Sequence, residues 1–114
     1  MREFMMIFRG QQMGNYQPSP EEIQEDIKKW QNWIGNIGAQ GKFVSTNQLG
    51  FEGKTVKSGG MVTDGPYAEL KEIVGGYLIV KSESLEDAVN LVPGCPILQY
   101  GGNVEVRDIM PINL

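Results

Sequence analysis

The sequence predicts an α+β domain in which an antiparallel sheet carries two helices on one face. Three observations carry that expectation. Residues 3–9 and 73–81 are apolar on both alternating faces, as strands covered on both sides are. Residues 19–40 repeat their apolar side chains at helical spacing between clear start and stop signals. The chain has 114 residues, 40% hydrophobic and 21% charged, which suits a single domain over residues 1–114 with its own core.

The elements follow in order. In the first strand, residues 3–9, Phe4, Met6 and Phe8 share one face and Met5 and Ile7 the other. Residues 10–17 form a loop marked by Gly10, Gly14 and Asn15. Ser19 is the expected N-cap of the first helix, Pro20 takes the first helical position, and Glu22 closes a capping box. Ile23, Ile27, Trp30, Ile34 and Ile37 make one apolar stripe, with Trp33 flanking it, and Gly41 suits the residue after the C-cap. Residues 42–49 read as a weaker, more polar edge strand, and residues 50–62 as a small hairpin with turns near Gly53 and Gly59-Gly60. Residues 73–81 are the third main strand, where Gly75-Gly76 marks a bulge or a close backbone approach. Ser84 caps a second helix whose buried side is Leu85, Ala88, Val89 and Val92, ended by Pro93-Gly94. Residues 103–110 form the last strand, with Val104 and Val106 on one face and Glu105 and Arg107 on the other.

The order β-α-β-(hairpin)-β-α-β is the ferredoxin-like pattern. Right-handed crossovers then place the first and third strands side by side in the centre, and these are the two most apolar strands. Two helices cover only one face of such a sheet. Met5, Ile7 and alternate residues of 77–80 leave apolar groups on the other, so a two-fold homodimer, sheet against sheet, is expected.

Composition excludes several functions. A net charge of −4 with scattered basic residues disfavours nucleic acid and anionic membrane surfaces as partners. No apolar run reaches the length of a membrane span, and the start lacks the form of a signal peptide. The single cysteine, Cys95, rules out an intramolecular disulfide and fits a cytoplasmic location. Histidine is absent, which removes the usual general base near neutral pH, any Ser–His–Asp or Cys–His arrangement, and a structural zinc site. No metal and no cofactor is expected.

The candidate site residues cluster around a turn. Asp64-Gly65-Pro66 either closes that turn through local hydrogen bonds or presents a carboxylate at a pocket mouth as acid, base or anchor. Glu69, Lys71 and Glu72 form either a solvated charge network or part of the same pocket. Tyr67 offers a hydroxyl. Arg107 serves as an ion-pair partner or as an anion anchor, and Arg9 is a second such candidate. Trp30 and Trp33 are core residues or the apolar wall of a pocket. Cys95 reads as a small buried hydrophobe.

The run Asp64-Gly65-Pro66-Tyr67-Ala68-Glu69-Leu70-Lys71-Glu72, followed by Gly75-Gly76-Tyr77, resembles the D-G-P-F-x-E-x-K-E…G-G-[YF] signature of the DGPF family within the YCII-related superfamily. Ser84-Leu85-Glu86-Asp87-Ala88, Cys95-Pro96 and Val104-Glu105-Val106-Arg107 resemble later segments of that family, so the likeness spans nearly the whole chain. The resemblance implies a dimeric α/β-barrel of ferredoxin-like subunits. The wider superfamily is associated with a His–Asp active pair, and without histidine only the aspartate, by position Asp64, remains here. Tyr67 stands where the family usually has Phe, and Asp108 where Pro is common. The leading expectation is a small-molecule pocket between sheet and first helix, or at the dimer seam, lined by Asp64, Glu69 and Arg107. In an enzyme it would use a carboxylate as acid or base. The rival expectation is a non-catalytic ligand-binding, protein-interaction or regulatory module, and a third is a structural dimer whose signature only fixes the turn.

Overall fold

A computed structural model describes residues 1–10, 18–65 and 73–113. The main sheet has four antiparallel strands: β1 (Arg2–Gly10), β2 (Phe43–Gln48), β5 (Ile73–Ser82) and β6 (Asn103–Asp108). Their order is β2-β5-β1-β6, so the two strands apolar on both faces are the central pair. The helices α1 (Pro20–Ala39) and α2 (Leu85–Val89) complete the ferredoxin-like arrangement, with a short 3-10 helix over Pro96–Tyr100. The sheet is open: β2 and β6 are its free edges.

Helix α1 begins and ends where its sequence dictates. The Glu22 N–H donates to Ser19 Oγ at 3.1 Å, and the Ser19 N–H donates to Glu22 Oε1 at 3.4 Å, which satisfies two of the otherwise unpaired donors of the first turn. At the far end Gly41 takes φ +71°, where a Cβ is strained. Its N–H reaches the Gly38 carbonyl at 2.9 Å, and the Lys42 N–H reaches that of Ile37 at 3.2 Å, a Schellman close.

The core lies between this helix layer and one face of the sheet. Phe4, Met6, Leu78 and Val80 are fully buried there, with Phe8, Trp33, Ile37, Ala88 and Cys95 around them. Phe8, Trp30 and Trp33 form a triangle of edge-on rings with centroids 5.1 to 5.9 Å apart, the geometry aromatic quadrupoles favour. Trp33 Nε1–H donates to the Leu91 carbonyl at 3.0 Å and ties α1 to the chain leaving α2.

Three expectations change. Trp33 is one of the two buried residues of α1 rather than a flank of the stripe, while Ile23 and Ile27 are about half exposed. Periodicity gives the face of a helix but not how far the sheet extends beneath it. The first half of α1 is instead met by polar groups of the 3-10 helix: Tyr100 OH donates to Asp26 Oδ1 at 2.8 Å and Lys29 Nζ to Gln99 Oε1 at 3.4 Å. The second helix stops at Val89, and of its expected buried side Leu85 and Val89 face out while Ala88 is buried. The hairpin, expected over residues 50–62, pairs β3 (Lys54–Val56) with β4 (Val62–Asp64), and Asp64, expected in the turn, is the last residue of β4.

The glycine pair in β5 has a physical basis. The β1–β5 register shifts between Phe8 and Arg9, which pair with Gly76 and Val74 and leave Gly75 extra. A Cβ on Gly76 would lie 2.8 Å from the Asn47 carbonyl oxygen, so only glycine lets β2 run this close.

Candidate functional site

The face of the sheet away from the helices holds the most concentrated chemistry among the described residues. Directly paired residues of antiparallel strands share a face, so the register fixes its layout. One row across the strands reads Ser45, Ile79, Met5, Arg107; the next reads Asn47, Tyr77, Ile7, Glu105. Its centre is apolar, and its two sides are polar. Met5, Ile7, Tyr77 and Ile79 are half-buried there.

On the β6 side Arg9 NH1 bonds Glu105 Oε1, and Arg107 Nε lies 3.9 Å from the other oxygen, Oε2. One carboxylate is thus flanked by two guanidinium groups, and the cluster keeps a net positive charge. Arg9 and Glu105 hold each other in place. The Arg107 side chain is 69% exposed, which leaves donors of its planar fork facing outward. That suits a carboxylate or phenolate, which a guanidinium grips through parallel charge-assisted hydrogen bonds. On the β2 side Asn47 Nδ2 donates to Tyr77 OH at 2.8 Å and orients that hydroxyl.

The other sequence-derived candidates lie elsewhere. Asp64 sits in the hairpin opposite Lys54, whose Nζ is 2.8 Å from Asp64 Oδ1, with the Asp64 side chain 95% exposed. The Gly65 N–H bonds the Gly53 carbonyl at 2.7 Å, so the start of the signature turn closes the base of the hairpin. Tyr67 and Glu69, like Lys71 and Glu72, lie outside the described residues. Trp30 packs on Phe8 on the helix side, whereas Arg107 pairs with Met5 on the open side, so the chain does not bring these two into one pocket. The pairing of Arg9 with Glu105 escaped sequence reasoning, which linked Glu105 to Arg107. The signal was present in the strand order: β6 beside β1 sets Arg9 and Glu105 two positions apart across adjacent strands.

Cys95 offers no nucleophile. It is buried, and burial pushes its thiol up to about 11, with a backbone hydrogen bond at Ile97 opposing in part. No group of three or more Cys, Asp or Glu comes together among the described residues in a way that could hold a metal ion. An open cleft of about 340 Å³ lies at the end of β1, lined by Met1, Arg2, Glu3, Ile109 and Pro111, with none of the described candidate residues in it. No helix among the described residues is long and apolar enough to cross a membrane.

Residues 11–113 match the family model described as the YCII-related domain. No curated protein matches the chain.

Proposed function

The chain belongs to the YCII-related domain family, and from that premise we propose that it is a homodimeric small-molecule-binding domain whose site lies on the open face of the sheet, at the seam with a second copy. The observation that carries this reading is the Arg9–Glu105–Arg107 cluster beside an apolar centre that no helix or strand among the described residues covers. A small organic acid or phenol fits both halves: its anionic group meets Arg107, and its apolar body lies over Met5, Ile7 and Ile79. Sheet-to-sheet pairing would exclude water from that contact and build the dimeric α/β-barrel expected of the DGPF type. A cytoplasmic location fits the lone, buried, reduced Cys95.

In the catalytic form of this reading the signature turn supplies the proton-transfer group, Asp64 first, with Tyr67 and Glu69 as further substrate contacts. In the non-catalytic form the same face is a ligand-binding or regulatory module. The exposed Lys54–Asp64 pair favours the second form, since a carboxylate committed to a solvated ion pair is poorly placed as a proton shuttle in a water-free site. A thermal-shift screen of small aromatic and aliphatic carboxylates and phenols tests the proposal. A stabilising compound whose effect disappears in Arg107→Gln supports it. Stabilisation that survives Arg107→Gln, or depends instead on Arg2 in the cleft at the end of β1, contradicts it. Turnover of the stabilising compound, lost in Asp64→Asn, would select the catalytic form.

A further inference from the structure

We infer that the β3–β4 hairpin is an arm that packs on the second copy of this chain. This deepens the homodimer proposed above and rests on it. The hairpin has three residue pairs, Lys54–Asp64, Thr55–Thr63 and Val56–Val62, and is closed by the Lys57 N–H to Met61 carbonyl bond at 2.7 Å. A two-stranded ribbon of this size is at best marginally stable in water by itself. Yet it makes no extensive contact with any other element among the described residues. Val56 and Val62 lie opposite each other on one face and are 69% and 53% exposed, with Met61 beside them at 64%. Phe51, on the approach to the hairpin, is 68% exposed.

The shape and the area point to a second copy as the occupant. The Cα radius of gyration is 15.8 Å, against about 13 Å for a compact chain of this length. The thinnest dimension is 19 Å, that of a single sheet with one helix layer. At ~4.8 Å per strand and ~3.3 Å per residue, the open face of four strands and six paired residues offers roughly 400 Å². A stable interface needs about 800 Å² per partner. The sheet alone falls short. An arm face of two strands and three residue pairs adds roughly 95 Å² at the same spacings, and in a two-fold dimer each copy both gives an arm and receives one. The total then comes to roughly 600 Å², about three-quarters of that size. The Leu49 N–H to Gly75 carbonyl bond at 2.9 Å carries the β2–β5 pairing one residue past β2, toward the start of the arm.

Two measurements test this, both on the full chain. Sedimentation equilibrium compares the wild type, the double variant Val56→Ser with Val62→Ser, and Ile7→Asp. The inference predicts a wild-type dimer, a dissociation constant at least ten-fold higher for the arm variant, and a monomer for Ile7→Asp. Hydrogen exchange then follows the Lys57, Gly60 and Gly65 amides of the wild type across the same concentrations, with protection expected to rise as the dimer forms. A dimer that Ile7→Asp disrupts, but whose affinity is unchanged in the arm variant and whose arm amides exchange independently of concentration, overturns the arm and leaves the homodimer standing. A wild-type monomer at all concentrations overturns both.

Discussion

The two faces of the central strands use the same kinds of side chain to opposite ends. Phe4, Met6 and Phe8 alternate with Met5 and Ile7 along β1, and Leu78 and Val80 alternate with Tyr77 and Ile79 along β5. The first set is at most 5% exposed beneath the helices, while the second stays half-buried with no helix or strand among the described residues above it. Apolar residues on the helix face hold one subunit together. The same residue types on the open face are available for association, and the Arg9–Glu105–Arg107 cluster edges that face. Hydrophobicity therefore does not separate folding from function here; the layer that covers each residue does.

The sharpest way to break this comparison is a pair of truncations one residue apart. Leu78→Ala should destabilise the chain by about 2–5 kcal/mol, the range for a fully buried leucine that leaves a cavity. Ile79→Ala should cost a dilute, monomeric sample less than Leu78→Ala does, since its side chain keeps part of its surface in solvent. Urea unfolding at low concentration measures both, and equal losses would remove the distinction between the faces.

Cys95 gives the helix side a pH signature. Its folded-state value of about 11 lies above the ordinary 9.0, so the folded chain holds the proton where the unfolded chain has released it. The thiol's contribution to stability is thus fully present below pH 9 and is lost as pH rises from about 9 to about 11. A shift of this size corresponds to about 2–3 kcal/mol. Denaturation curves across that window should fall less steeply for Cys95→Ala than for the wild type, and identical slopes would show that the thiol is not shielded.

Gly76 tests the join between the faces and the edge strand. Gly76→Ala would set a methyl 2.8 Å from the Asn47 carbonyl oxygen and force β2 away, with an expected loss of about 1–3 kcal/mol in urea unfolding. The smallest effect belongs to the hairpin ion pair. Asp64→Ala removes a contact between two exposed side chains, and the expected change in stability is within about 0.5 kcal/mol. A loss of 2 kcal/mol or more by the same method would mean that Asp64 holds structure well beyond the hairpin.

The fold was legible because local and long-range signals agreed. The Ser19–Glu22 capping box, the Gly41 terminus, the doubly apolar first and third strands and the Gly75-Gly76 irregularity each have a direct structural counterpart. Legibility ended where a residue's fate depends on what lies opposite it. The α1 stripe could not reveal that Ile23 and Ile27 extend past the core, nor that Trp33 would find the Leu91 carbonyl. The candidate site was legible only in part. Arg9, Glu105 and Arg107 stood out as charges on strands, but their grouping depends on cross-strand register. Asp64 drew attention through its motif, and motif spacing carries no information about the Lys54 that strand pairing places opposite it.

Whether a second copy of the chain covers the open face, as proposed, is decided by sedimentation equilibrium of the wild type beside Ile7→Asp. The expected result is a wild-type particle of twice the 12.7 kDa chain mass, and a folded monomer for Ile7→Asp with unchanged far-UV circular dichroism. A wild type that stays monomeric at high micromolar concentration, or a dimer indifferent to a charge at Ile7, would contradict it.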